Sequence, residues 1–193
     1  YLSHIKKDSE FDRILAIGGG ASSSNFNQAS GSVPAAITFN SDLVYVVHSR
    51  VRAKDVNVTG GFKELSTFIH AAAYVGFVAG NEPQVPATWK ALDFDSVVHD
   101  MSKKERENAI QSGVIHEREV AGIGMVINKD INSKQENKLD IYEDGTSPHG
   151  SVTRIKLFLN KTLSLQLRKK FVGSNVNLSD PEDVKNEIET ILL

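Results

Sequence analysis

The sequence predicts an α/β (α+β) fold in which a central mixed β-sheet is flanked by helices. Three observations carry that expectation. "LVYVV", Leu43 to Val47, is β-branched and aromatic throughout, the composition of a buried strand. "SKKE" places Ser102 as an N-cap with Glu105 three residues on, a capping box, and the helix it opens stops at Gly113. Val152, Ile155, Leu159, Leu163 and Leu167 recur at three- and four-residue spacing, which marks a long helix from about Ser151 to Phe171. No repeat, heptad pattern or linker divides the 193 residues, so 1–193 is expected to be one core domain.

The remaining elements follow in order. Ile14 to Ile17 reads as a strand ahead of Gly18, and Ala21 to Ser32 as a loop of Ser, Asn, Gln and Gly. Ala36 to Phe39 is expected to be a second short strand. "SRVRAKDVNVTGG" alternates apolar and polar residues and ends at Gly60–Gly61, as an edge segment or hairpin arm does. A helix is expected from about Phe62 to Val78, closed by Gly80; its small residues allow close packing. Pro83 and Pro86 make Glu82 to Trp89 a loop. "VIHEREV" and "GMVINKDI" flank Ala121–Gly122 as an antiparallel hairpin. The polar stretch up to Gly150 is loop-like, with one short strand at Leu139 to Tyr142. After Gly173, "SDPED" offers Asp180 as N-cap and Pro181 at the first helical position. Val184, Ile188 and Ile191 mark the buried face of that last helix.

Composition excludes several classes of function. The chain has no cysteine, which removes disulfide scaffolds, thiolate metal sites and cysteine nucleophiles. Its net charge of −2 gives no basic field for nucleic acid or anionic membranes. Leu65–Ala79, the longest mostly apolar run, would span roughly 22 Å as a helix, short of a hydrocarbon core of about 30 Å. No membrane insertion is expected.

The candidates for chemistry are few. "LAIGGGASSS" has a strand and glycines, so Gly18, Gly19, Gly20, Ser22 and Ser23 are the alternative candidates for a degenerate phosphate loop. A Walker loop needs a lysine that is missing, and a dinucleotide fingerprint needs a third glycine where Ser23 stands. A tight turn or close backbone packing accounts for the same glycines. His4, His48, His70, His99, His116 and His149 include no i,i+4 pair and no HExxH. His116 lies beside Glu117 and Glu119 but on the other face of a strand, so these are expected to be core or solvated histidines. Asp93, Asp95, Asp100, Asp130, Asp140 and Asp144 are nonspecific, and no GxSxG occurs. No catalytic residue, metal or cofactor is expected. Arg50, Arg52 and Lys54 share one strand face, a solvated edge or a surface for an acidic partner. Lys161, Arg168, Lys169 and Lys170 suit the end of the long helix, or a second such surface.

From Phe62 onward the order of motifs resembles the subunit of a contractile bacteriophage tail sheath. The phrases are "AAAYVGFVAGNEP", "LDFDSVVHDMSKKERENAIQSGVIHERE", "MVINKDINS" and "VTRIKLFLNKTLSLQLRKKFVGSNVN". Together they cover about two thirds of the chain. The resemblance implies a structural, non-enzymatic protein of the virion, assembled in the host cytoplasm. Such subunits stack as hexameric rings around a tail tube and contract on the baseplate to drive the tube through the host envelope. It also implies identical subunits linked by exchanged terminal arms. A chain that starts at Tyr1 rather than Met is then expected to be a fragment lacking one or both arms, monomeric by itself. A small nucleotide- or phosphate-binding α/β enzyme using Gly18 to Ser24 is the alternative.

Overall fold

The computed structural model describes residues 13–20, 26–27, 31–135, 147–171 and 181–192. Ser22, Ser23, the strand expected at Leu139 to Tyr142, Gly173 and the N-cap at Asp180 lie outside them. The α/β class holds, and parallel and antiparallel pairings occur in separate small sheets.

The first sheet is parallel. β1 (Leu15–Gly18), β2 (Val44–Val47) and β6 (Val114–Ile115) lie in the order β1-β2-β6, with Leu15 opposite Val44 and Val46 opposite Val114. Strands alternate their side chains, and this sheet buries both faces. Val44 and Val46 join Leu15, Ile17 and Val114 in one core cluster, which holds Val33 and Ala36 from α1 (Ser32–Phe39) and Ala109 from α3 (Lys103–Ser112). Tyr45 and Val47 face the other way, with Ala16 and Ile115, against Ala71, Tyr74 and Val78 of α2 (Thr67–Ala79). All four residues of β2 are completely buried, which is why its sequence is an unbroken apolar run.

The second sheet is antiparallel, in the order β4-β3-β5: β3 (Val51–Lys54), β4 (Phe62–Leu65) and β5 (Ser96–Val97). β7 (Glu117–Val120) and β8 (Gly124–Ile127) form the expected hairpin, turning at Gly122 with φ +79°. α4 (Gly150–Phe171) and α5 (Pro181–Leu192) complete the chain and pack on each other. Val184, Ile188 and Ile191 are all half-buried.

Two expected elements differ. Ala36 to Phe39 belongs to helix α1, not to a strand, and Ser32 is helical rather than loop. Val33, Ile37 and Thr38 favour strands, but docking Val33 and Ala36 on the sheet outweighs those small preferences. Phe62 to Leu65 is strand β4, not the start of a helix. Gly60 and Gly61 take φ +96° and +73° and turn the chain back along β3. The helix begins only after Ser66, whose extended backbone makes it the N-cap. The capping box at Ser102 and the left-handed Gly113 (φ +73°) stand as expected.

Candidate functional site

The glycine run is a packing device. The Gly19 amide donates to the Val47 carbonyl at 2.8 Å, and the Gly20 amide to Ser32 Oγ at 2.5 Å. Among the described residues of this loop, the Gly19 and Gly20 amides are therefore both spent on protein acceptors. A Cβ on Gly18 would lie 2.6 Å from Thr67 Oγ1 and 2.7 Å from the Phe68 backbone nitrogen; one on Gly19 would lie 2.5 Å from Ser32 Oγ. The glycines thus let α2 and the start of α1 approach the end of β1 at backbone distance. The first helix described after them, α1, starts at Ser32.

Beyond the glycines runs a buried polar chain. Ser32 Oγ lies 2.6 Å from His48 Nδ1, and His48 Nε2 lies 2.8 Å from His99 Nδ1. His99 Nε2 lies 3.4 Å from Glu105 Oε1. The Glu105 carboxylate only accepts, so with an uncharged His99 ring the protons upstream of it all point one way. His99 Nε2–H faces Glu105, His48 Nε2–H donates to His99 Nδ1, and the Ser32 hydroxyl donates to His48 Nδ1 while accepting from Gly20. Burial first, and then its closeness to His99, lowers His48 to a pKa of about 3, so the His48 ring is neutral at pH 7. Hydrogen bonds from Ser102 lower the Glu105 carboxyl and keep it anionic. Phe26 closes the chain edge-on against both rings, with centroids 5.0 and 6.0 Å away. Ser32 is 0% exposed, so the sequence Ser–His–His–Glu presents no hydroxyl to a substrate. It ties β1, α1, β2 and α3 together.

Two further clusters are sealed in the same way. Asp130 accepts at Oδ1 from the Tyr74 hydroxyl (2.7 Å), and at Oδ2 from the Ala87 amide (3.0 Å) and Arg154 (2.9 Å). Arg154 also donates to the Val85 carbonyl. Burial first, and then Asp130, pushes the Tyr74 phenol well above its usual pKa, so it remains a donor. Glu117 and His70 face each other across 3.5 Å with fully buried side chains. His70 Nδ1 donates to the Ser49 carbonyl at 3.2 Å. Among the described residues no group of three or more His, Asp or Glu side chains could hold a metal ion. None of their helices is long and apolar enough to cross a membrane.

The expected basic surface residues are solvent-facing or half-buried and partly neutralised, but Arg52 and Lys54 lie on β3, the middle strand of β4-β3-β5, and not on a sheet edge. Arg50 and Arg52 both pair with Glu64, at 3.4 and 3.1 Å, and Lys54 lies 3.8 Å from Asp95. Lys161 is exposed on α4, and Arg168, Lys169 and Lys170 form its last turn, where Lys170 contacts Glu187 of α5. Sequence reading missed the histidine chain because its members lie 16 and 51 residues apart and only the pairing of elements brings them together. The one local signal was the capping box, whose Glu105 serves both Ser102 and His99.

No family model and no curated protein sequence matches the chain. Solved structures do. A sheath tail protein from Desulfitobacterium hafniense superposes with a TM-score of 0.66 at 15% identity, over 97% of this chain and 38% of that one. A sheath tail protein from Listeria innocua gives 0.60 at 15% identity, over 98% and 38%. A chain of the contracted helical sheath of the anti-feeding prophage gives 0.64 at 15% identity, over 93% and 44%. The present chain spans about two fifths of the length of these proteins. From β1 to α5, it has the fold of contractile tail sheath proteins.

Proposed function

We propose that the chain is the core portion of a structural subunit of a phage-type contractile tail sheath. The observation that carries this is the superposition on sheath proteins over nearly the whole chain. The buried state of its polar clusters agrees with a scaffold rather than a catalyst. In this reading residues 1–193 form one domain of a longer subunit. Subunits stack as hexameric rings around a tail tube, are seated on a baseplate, and contract to drive the tube through an envelope. The assembly is part of a virion built in the host cytoplasm. No cofactor takes part. Neighbouring subunits exchange terminal arms by strand addition, which depends on main-chain hydrogen bonds and asks little of side chains. The basic residues Arg50, Arg52, Lys54, Lys161, Arg168, Lys169 and Lys170 face acidic surfaces of neighbours.

Electron microscopy of the complete subunit, with tail tubes supplied, tests the reading. Tubular sheaths are the expected result. A subunit that stays dispersed in the presence of tubes would overturn it. Calorimetric titration with magnesium nucleotides is expected to give flat traces, because the Gly19 and Gly20 amides are already bonded.

A further inference from the structure

Helix α2 carries no polar side chain on its outer face. Its three polar residues are spent elsewhere: Thr67 is half-buried at the first turn, and His70 and Tyr74 are buried. What remains outside is Phe68 (66% exposed), Ile69 (37%), Ala72, Gly76 and Ala79. A helix apolar all round is normally covered all round. Here the inner face packs on β1 and β2, and nothing among the described residues covers the outer one. Phe68 alone would be a scattered surface residue; with Ile69 beside it and no charge for three turns, the face is an unpartnered one.

The same chain holds a face that fits it. Phe158 (52% exposed) and Leu165 (47%) project from α4 seven residues apart, flanked on the same side by exposed Lys161 and Lys169. Residues at this spacing share one helix face. α2 supplies a low surface, because Ala72, Gly76 and Ala79 reach no further than Cβ, and α4 supplies the projecting side chains. Charge sets the direction. The C-terminal end of α2 has the negative end of its dipole and exposed Glu82, and the matching end of α4 has Lys169. Parallel packing brings these together, with Leu165 over Ala72 and Gly76.

Resting on the sheath-subunit reading, we propose that the outer face of α2 receives the Phe158–Leu165 face of α4 from a second copy of this chain. The two faces differ, so the contact is heterologous. Repeated from copy to copy it extends into an open helical array rather than closing as a dimer.

The absence of cysteine makes the test direct. Two single-cysteine variants, Ala72→Cys and Lys161→Cys, leave Phe158, Leu165 and Phe68 in place, and both positions are exposed. They are mixed and oxidised, and disulfide-linked species are separated by mass. Val56→Cys, at a site 97% exposed, replaces Lys161→Cys in the control. Circular dichroism first establishes that each variant is folded. The mixed Ala72–Lys161 disulfide should exceed the control by about tenfold. Glu82→Lys should remove that excess, and Glu82→Lys combined with Lys169→Glu should restore it. Cross-linking no higher than the control would overturn the proposal. So would preferential Ala72–Ala72 pairing, which means a symmetric contact, or cross-linking indifferent to the Glu82 and Lys169 exchange. Tubes in the microscope without this disulfide would leave the sheath reading standing and remove only the contact.

Discussion

At the scale of the residue, Asp130 is the position on which most depends. It holds Arg154, Tyr74 and the Ala87 amide, and Arg154 is only 7% exposed. Removing one partner of a buried ion pair strands the other charge without water. Asp130→Ala is therefore expected to destabilise the fold by about 3–5 kcal/mol, read as a lower urea midpoint. Gly150→Ala should also be costly, since its Cβ would collide with Asp130 Oδ1, which Tyr74 and Arg154 hold in place. The buried histidines give a pH signature. An unfolded imidazole takes up its proton near pH 6.5, whereas burial lowers His48 to about 3 and His116 to about 4. Between those limits the unfolded chain binds more protons than the folded one, so stability falls as pH falls. Each histidine contributes a slope of about 1.4 kcal/mol per pH unit within its window, complete above pH 6.5 or so. Urea midpoints measured from pH 7.5 to 4 should decline steadily. A stability profile flat over that range would mean that these rings are protonated in the folded protein.

At the scale of the element, local sequence foretold what local interactions decide. Leu43 to Val47 was legible as a strand because it is buried on both faces, and α3 because Ser102 and Gly113 cap it with their own chemistry. α1 was not legible. Its N-cap Gly31 makes no side-chain bond, and it holds together through Val33 and Ala36 against the sheet. β4 was merged with α2 because Phe62 and Leu65 fit either period, and the reversal at Gly60 and Gly61 is a matter of backbone sign that apolar spacing does not encode. The histidine chain and the Asp130 hub depend on contacts between distant elements, beyond any motif scan. Ser102→Ala should cost about 1 kcal/mol through the lost cap. It should also alter the His99 ring, because Ser102 donates to the carboxylate that His99 faces; a shift of the His99 ring-nitrogen resonances would report that coupling. Gly18→Ala places a methyl against the Thr67–Phe68 backbone. It should lower the melting temperature more than Gly76→Ala, where a Cβ meets nothing within 4 Å.

At the scale of the whole molecule, the parallel sheet β1-β2-β6 is a buried middle with helices on both faces, and polar clusters pin its ends. Polar groups are sealed inside, and apolar and basic groups face outward on α2, α4 and the antiparallel sheet. Hydrogen exchange should follow that division. Amides of β2 and β6 should exchange only through global unfolding, and those at the exposed end of α4 much faster. Equal protection of α4 and β2 in the isolated chain would contradict a buried middle with a lightly held periphery.

The hydrogen-bonded chain from Gly20 to Glu105 has one more consequence. Its protons point one way, and the direction is set by a carboxylate at the molecular surface. Glu105→Gln changes almost no volume at this half-buried capping position. A glutamine amide, however, can offer either an acceptor or a donor to His99. Offering a donor would reverse both ring tautomers and leave Ser32 with two donors and no lone acceptor site for its own proton. A change at the start of α3 would then be felt at the end of β1, through atoms that solvent never reaches.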